Sequence, residues 1–279
     1  MPEGHTLARI AGALDAAFAG SEVQVSSPQG RFAAGAELLD GGVVREARSH
    51  GKQLFVEVEP PGSPEPRVLH VHLGLIGTFT IDEVAFVGEK PVVGQVRCRI
   101  EGEGHVADLR GPMVCAVITP EEEAGIRDRL GPDPLREESG ERGWERVTRS
   151  RKEVAALLMD QSVVAGIGNV YRCEVLFRHR VDPATPGRAL ARDTWDAIWA
   201  DLRRLMPLGV ATGRIVTRED QVEVVEEAMA KGETPHLTER TSYVYRRTGE
   251  PCRVCGTPVS MRDLAGRKLY WCTVCQTGT

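Results

Sequence analysis

The sequence predicts an α+β protein: an N-terminal helix with a β-sandwich, then a helical domain, then a small cysteine-pinned ribbon. Three observations predict it. Leu7, Ile10, Ala11, Leu14 and Phe18 recur at helical spacing over residues 5–19, and helical spacing returns after residue 150. Between Val23 and Ile118 the period changes to two, with Gly and Pro turns separating alternating runs. Near the C-terminus stand Cys252-x2-Cys255, sixteen intervening residues and Cys272-x2-Cys275. That is the spacing of a zinc ribbon, in which two knuckles each give two thiolates to one tetrahedral Zn²⁺.

Each element follows from local chemistry. The first helix ends at Gly20, a residue that stops helices cheaply. Strands are predicted over 53–58, 68–73, 78–81 and 96–100. The segment 119–135 contains Leu130-Gly131-Pro132-Asp133-Pro134-Leu135 and reads as a linker whose prolines disfavour helix. Helices are then predicted over 152–160, from near Asn169, over 194–206 and near 218–230, and the ribbon follows Tyr243.

Length and charge narrow the function classes. The 279 residues suffice for two modest domains plus the ribbon. No apolar run approaches membrane-spanning length, and the N-terminus lacks the basic and apolar regions of a signal peptide. Cys98, Cys115 and Cys173 sit in apolar or mixed contexts and read as buried free thiols, which points to a reducing cytoplasm. Nothing in the sequence suggests an oligomer, so a monomer is expected. The net charge of −5 argues weakly against nucleic acid as a partner. The distribution is uneven, however: 121–141 is acid-rich, while Arg146 to Arg180 and Arg240 to Lys268 are basic. A local basic surface can still bind DNA, because the attraction is short-ranged and screened.

Four features carry candidate chemistry, and each has a plain alternative. Between the cysteine knuckles, Gly266-Arg267-Lys268-Leu269-Tyr270-Trp271 reads as a tight turn with two cations leading into a strand. Such a hairpin can hold a phosphate. On its own the ribbon favours the plainer reading, a domain cap with Arg267 solvated. Gly166-Ile167-Gly168-Asn169 reads as a glycine turn into a helix, with both glycines free to take left-handed backbone and Asn169 as the cap. This is an anion site or, equally, an ordinary helical corner. Removal of Met1 would leave Pro2 as a terminal secondary amine. An α-amino group has a pKa of about 7.7–8.0, so part of it is an unprotonated nucleophile at neutral pH. Glu3 beside it could act as general acid. Many chains begin Met-Pro with no such chemistry. Lys52, before an alternating strand, is by default a solvated turn lysine.

Taken together, the chain resembles the formamidopyrimidine-DNA glycosylase/endonuclease VIII family of bifunctional DNA repair enzymes along essentially its whole length. The resemblance is carried by Pro2-Glu3-Gly4, Gly51-Lys52, His72-Leu73-Gly74-Leu75-Ile76-Gly77, Asp108-Leu109-Arg110-Gly111 and Leu130 to Leu135. It continues through Leu157-Leu158-Met159-Asp160-Gln161, Gly166 to Asn169, Val244 to Cys252 and Gly266-Arg267. It implies a catalytic domain over 1–118, a linker over 119–135, a helix-two-turn-helix DNA-binding domain over 136–238 and a zinc finger over 239–279. Damaged DNA would lie between the two domains. By the same resemblance Pro2 is the nucleophile on C1′, Glu3 protonates the opening sugar, and Lys52 supports the lyase step. Asn169 and Arg267 would grip phosphates, with Arg267 assisting the second elimination. Leu75, Arg110 and Pro112 match positions that fill the gap left by the flipped base. Cys252, Cys255, Cys272 and Cys275 hold one structural zinc.

The chain departs from the family at Thr6, where a carboxylate is common, and at Leu75 and Pro112, which replace Met and an aromatic. These departures lean toward the endonuclease VIII branch and oxidised pyrimidines. An oxidised-purine glycosylase and a non-catalytic DNA-binding module are the competing readings. The expected setting is the cytoplasm, with the nucleoid as the place of work.

Overall fold

The computed structural model describes residues 2–63, 65–137, 139–235, 237 and 241–277. The chain divides into two compact units, Met1–Arg129 and Leu130–Thr279. The domain edge expected between 238 and 239 lies outside the described residues, as does Arg240, the start of the second basic stretch.

The first unit opens with α1 (Gly4–Phe18), whose buried Leu7, Ala11, Leu14 and Phe18 form the predicted stripe. Strands β1 (Glu22–Ser26), β2 (Gly42–His50), β3 (Gln53–Glu59), β4 (Arg67–His72), β5 (Thr78–Glu83), β6 (Val96–Gly102), β7 (His105–Arg110) and β8 (Val114–Ile118) follow, with a short α2 (Ala33–Glu37) after β1. The strand order is β5-β7-β6-β1-β2-β3-β4-β8, with every pair antiparallel. Strand β1 belongs to both layers: Glu22 and Val23 pair with β2, and Gln24 to Ser26 pair with β6. Val25, Val44, Leu54, Val56, Leu69, Val71, Ile100 and Leu109 join the α1 stripe in one apolar core. This is the predicted sandwich. The alternating runs are its strands, since inward and outward residues alternate along a pleat.

The segment 119–135 differs from its expectation. It begins with a helix, α3 (Pro120–Asp128), rather than an extended linker. Pro120 occupies the first helical turn, where a missing N–H costs nothing. Thr119 and Glu122 close a reciprocal capping box around it. Buried Glu123 then receives the Arg48 guanidinium from β2, with Nε at 2.9 Å, and so ties the helix to the sheet.

The second unit contains α4 (Glu141–Val147), α5 (Val154–Leu157), α6 (Asn169–Arg178), α7 (Arg192–Thr212), α8 (Glu219–Ala230) and the hairpin β9 (Ser260–Leu264) and β10 (Arg267–Trp271). The helix predicted over 152–160 is only the single turn of α5. α7 runs through Pro207 to Thr212, past the predicted stop at Met206. Leu208 and Gly209 beyond the proline are buried, so packing outweighs the one lost hydrogen bond. Gly213, at φ 67°, ends the helix in the left-handed region. Val244, Cys252, Val259, Leu269, Tyr270 and Cys272 of the ribbon belong to the same apolar core as Tyr171, Trp195, Leu202 and Val222. The ribbon is therefore a packed part of this unit.

Candidate active site and metal centre

In the first unit, the register of α1 on β2 decides where the N-terminus goes. The Gly20 N–H donates to the Val44 carbonyl at 2.8 Å. Further up the helix, the Ala47 N–H donates to Asp15 Oδ1 at 3.0 Å. Helix and strand thus run antiparallel. Asp15 to Glu3 spans about 18 Å at ~1.5 Å per residue, and Ala47 to Lys52 spans about 16 Å at ~3.3 Å per residue. The start of α1 and the Gly51–Lys52 turn therefore arrive at the same end of the sheet. Pro2 there is half-buried, while Glu3 is fully buried at the N-cap position, at the positive end of the helix dipole. The Thr6 N–H donates to the Glu3 carbonyl at 2.8 Å, and Thr6 Oγ1 lies 3.2 Å from Nε2 of buried His5. Thr6 thus pairs with its neighbour at the position where a carboxylate was expected.

Lys52 follows Gly51, which takes a φ of 56°, in a two-residue turn between His50 and Gln53. Its ammonium reaches His72 electrostatically. Burial first, and then Lys52, pull the His72 imidazole below its ordinary value. Nδ1 of His72 accepts the Gly74 N–H at 3.1 Å. Sequence reasoning did not single out His72. Its position at the end of β4, beside a turn on another hairpin, has no local signature.

The Gly74–Gly77 turn presents its apolar side chains to solvent: Leu75 is 48% exposed and Ile76 84%. Met113, 69% exposed, stands against Gly74 at the start of that turn. Gly74 has a φ of 69°, and a Cβ there would fall 3.1 Å from the Met113 Cβ. The Met113 N–H donates to the His72 carbonyl at 2.8 Å. Met113, not only Pro112, is the exposed apolar group beside Leu75. Arg110 is held within its own unit. It donates to Val93 O at 3.2 Å, Thr80 Oγ1 at 3.2 Å and Asp108 Oδ2 at 2.8 Å. Buried Asp108 is also gripped by Arg99, and after the opposing effect of its own burial these guanidinia hold its carboxyl below the usual range.

In the second unit the two-turn segment is stitched by Gln161. Its amide donates to Met159 O at 3.1 Å and Ile167 O at 2.9 Å, and accepts from the Gly166 N–H at 3.1 Å. Gly131 lies flat against this segment, its N–H donating to Gln161 O at 2.8 Å. A Cβ on Gly131 would meet the Val163 carbonyl at 2.5 Å. Of the two glycines in the Gly166–Asn169 turn, only Gly166 takes a left-handed φ, at 90°. Gly168 is extended and is itself the N-cap of α6.

Asn169 is therefore the first residue of the helix and not its cap. Its side chain is nearly buried, at 4% exposure. Nδ2 donates to the Lys268 carbonyl at 2.8 Å, and Oδ1 accepts from the Arg172 guanidinium. The glycine turn and the ribbon hairpin, separate motifs in sequence, are thus joined. The hairpin turn is Ala265-Gly266, with φ of 52° and 71°, the two left-handed residues that suit a twisted two-residue turn. Arg267 and Lys268 open β10 just after it. Among the described residues Arg267 forms no ion pair, and its Nη1 donates to the carbonyl of its neighbour Gly266 at 3.0 Å. Arg178, Arg192, Arg204 and Arg262 of the same unit, by contrast, each carry a carboxylate partner.

The four predicted cysteines converge, with all Sγ atoms within 4.8 Å of one another. Cys252 and Cys275 are 3.9 Å apart, and Cys255 and Cys272 3.4 Å. A tetrahedron with Zn–S bonds of about 2.3 Å has S–S edges of about 3.8 Å, so the cage fits zinc. Backbone N–H groups of Val254 and Cys275 approach the Cys252 and Cys272 sulfurs at 3.5 and 3.4 Å, favouring thiolates. Bonds to Thr257 bring the Cys255 thiol down to about 6, while burial pushes the Cys272 and Cys275 thiols up. Zinc bound in this cage would supply positive charge that favours thiolate ligands. With four protein thiolates around it, its role is structural.

Comparison with known proteins accounts for this assembly. Three family models match: "Formamidopyrimidine-DNA glycosylase N-terminal domain" over residues 1–113, "Formamidopyrimidine-DNA glycosylase H2TH domain" over 130–221, and "Zinc finger found in FPG and IleRS" over 249–278. Endonuclease 8 1 of Mycobacterium tuberculosis is 49% identical over 280 residues, covering 99% of this chain and 100% of that protein. Formamidopyrimidine-DNA glycosylase of Thermus thermophilus is 31% identical over 246 residues, covering 86% and 84%. The crystal structure of MutM (Fpg) protein from Thermus thermophilus matches with a TM-score of 0.74 over 100% of both chains, at 26% identity. A complex between the Lactococcus lactis Fpg and DNA containing an abasic site shares the fold, with a TM-score of 0.75 at 18% identity over 98% and 99%. The chain belongs to the formamidopyrimidine-DNA glycosylase/endonuclease VIII family and is a DNA glycosylase with abasic-site lyase activity.

Proposed function

We propose that this chain removes oxidised bases from DNA, pyrimidines in preference, with Pro2 as the nucleophile. The observation that carries the reading is the half-buried Pro2 beside the fully buried carboxylate of Glu3, both fixed at the start of a packed helix. Met1 lies outside the described residues, and its removal frees the Pro2 nitrogen. That nitrogen adds to C1′ of the damaged nucleotide as the sugar ring opens and the base departs. Glu3 gives its proton to the ring oxygen. Loss of a proton from C2′ of the resulting iminium then expels the 3′-phosphate, and a second elimination expels the 5′-phosphate. Lys52, on its turn at the same end of the sheet, serves as proton carrier or phosphate contact. The preference for pyrimidines is supported by the Endonuclease 8 1 relative at 49% identity and by Thr6, Leu75 and Pro112.

The same reading assigns damaged DNA as the partner and a monomer in the cytoplasm, acting at the nucleoid, as the working form. Leu75, Ile76 and Met113 offer an exposed apolar wedge to replace the stacking of the flipped base. Arg110 would have to leave its bonds to Thr80 and Val93 to join them. Asn169 and Arg267 serve the phosphates. Among the described residues, no helix is long and apolar enough to cross a membrane.

The test is borohydride trapping on duplexes that carry different oxidised pyrimidines and purines. Cross-linking at Pro2, fastest with oxidised pyrimidines, is the expected result. An extra residue before Pro2 should abolish it. Full-yield trapping by the extended protein would remove Pro2 from the mechanism. Glu3→Gln should impair base excision more than cleavage of a preformed abasic site, and equal loss of both would reassign Glu3.

A further inference from the structure

We propose that Arg172 is a positioning residue for the DNA-holding hairpin: acting through Asn169, it fixes the backbone at Lys268 and thereby the placement of Arg267. The proposal rests on the reading of Arg267 as a phosphate contact. Arg172 lies on α6 with no solvent exposure. One end of its guanidinium donates to the Ala155 carbonyl of α5 at 3.3 Å, and the other donates to Asn169 Oδ1. Asn169 Nδ2 then donates to the Lys268 carbonyl at 2.8 Å. A bonded line therefore runs from α5 through two buried side chains to the second residue of β10.

Direction is what the arginine adds. A carboxamide has an acceptor end and a donor end, whereas a guanidinium only donates. With Arg172 at Oδ1, the amide must present Nδ2 to Lys268. A half-turn of the amide would set Oδ1 against the Lys268 carbonyl, acceptor on acceptor, and leave two donors facing each other at Arg172. An apolar side chain at 172 would fill the core without the desolvation of a charge, but it would leave the Asn169 amide free to turn. The next anchors along β10 are buried Leu269 and the Tyr270 N–H, 3.5 Å from Cys173 Sγ. Both lie further from the tip, so the Asn169 bond is the attachment nearest Arg267 along the strand.

A double-mutant cycle tests this on the zinc-loaded, full-length protein. The probe is a duplex with a tetrahydrofuran abasic analogue, which cannot be excised. Arg172→Met should weaken binding about tenfold, and Arg267→Ala by a similar factor or more. The double variant should bind no more than twofold worse than Arg267→Ala alone, because a misplaced hairpin without its cation has nothing left to lose. Trypsin should cleave the native Arg172→Met protein after Lys268 faster than wild type. Arg172→Lys, which keeps one donor, should restore most of both properties. If Arg172→Met does not fold, Asn169→Asp carries the test. It sets an acceptor against the Lys268 carbonyl and should raise cleavage after Lys268, even though it pairs with Arg172; cleavage is the readout here because Asn169 is itself read as a phosphate contact.

Full additivity of the two losses would overturn the proposal, as would unchanged tryptic cleavage in Arg172→Met or Asn169→Asp. If Arg267→Ala binds like wild type, the phosphate reading of Arg267 fails instead, and faster cleavage after Lys268 would still support the relay.

Discussion

The carboxylate of Glu174 accepts the backbone N–H of Tyr243 at 2.7 Å, and the same buried group also takes the N–H groups of Val244 and Tyr245 and the Thr217 hydroxyl. All four partners are donors, so only a group that accepts on both oxygens satisfies them. This one side chain holds the segment that leads from the helical part of the unit into the first zinc knuckle. Glu174→Gln turns an NH₂ toward two of those donors. The expected loss is about 3 kcal/mol, the scale of bonds to a charged group left unpaired in a core. A denaturant midpoint unmoved by this substitution would contradict the assignment.

Zinc removal should be felt throughout the second unit. Cys252 and Cys272 belong to the same apolar cluster as Trp195 and Leu202. Metal analysis should give one zinc per chain, and chelation should lower the melting temperature as well as DNA affinity. A metal-free protein that melts like the holo form would show the ribbon to be an independent appendage.

Acid should destabilise the first unit through a buried histidine. Burial, and then the neighbouring His72, hold the His70 imidazole down to about 4. Above pH ~6.5 the group is neutral both folded and unfolded, and contributes no pH dependence. Between about 6.5 and 4 the unfolded chain takes up the proton and the folded one does not, so stability falls as pH falls, by about 3 kcal/mol in all. His70→Gln should flatten unfolding free energy over that window, and a slope identical to wild type would exclude His70 as its source.

Gly131→Ala should cost about 2 kcal/mol or more, because the added Cβ meets backbone at 2.5 Å rather than a yielding side chain. The damage should reach function too, since the Gly131 N–H bonds the residue that stitches the two-turn segment. Thermal melting and binding to abasic-analogue DNA should fall together. A loss of stability with full affinity would separate the two roles.

The parts legible in sequence are those whose partners are close along the chain. The cysteine knuckles show themselves by spacing, and α1 and the strands by periodicity. α3 was obscured because the prolines of 119–135 were read together as helix breakers, without the Thr119–Glu122 box that caps this helix. Asn169 was read as a cap because its true acceptor lies 99 residues away. Met113 went unnoticed, and His72 appeared only as the first residue of a motif, for the same reason. They meet the Leu75 turn and Lys52 only once β4 pairs with β8 and β3 with β4, registers that no local pattern announces.

Chain ends are ordinarily where a protein is loosest. Here the second and third residues sit at the head of a helix whose next four turns are nailed to a sheet by Leu7, Leu14 and Phe18. An amine on a fraying tail would wander through a volume of solvent and meet a sugar carbon only by chance. On the proposed reading, the Pro2 amine at the tip of a packed rod has one address. Effective concentrations of well-held reactants reach about 10⁵ to 10⁸ M, and such a gain is open to a terminal group only when the terminus has been built into the core.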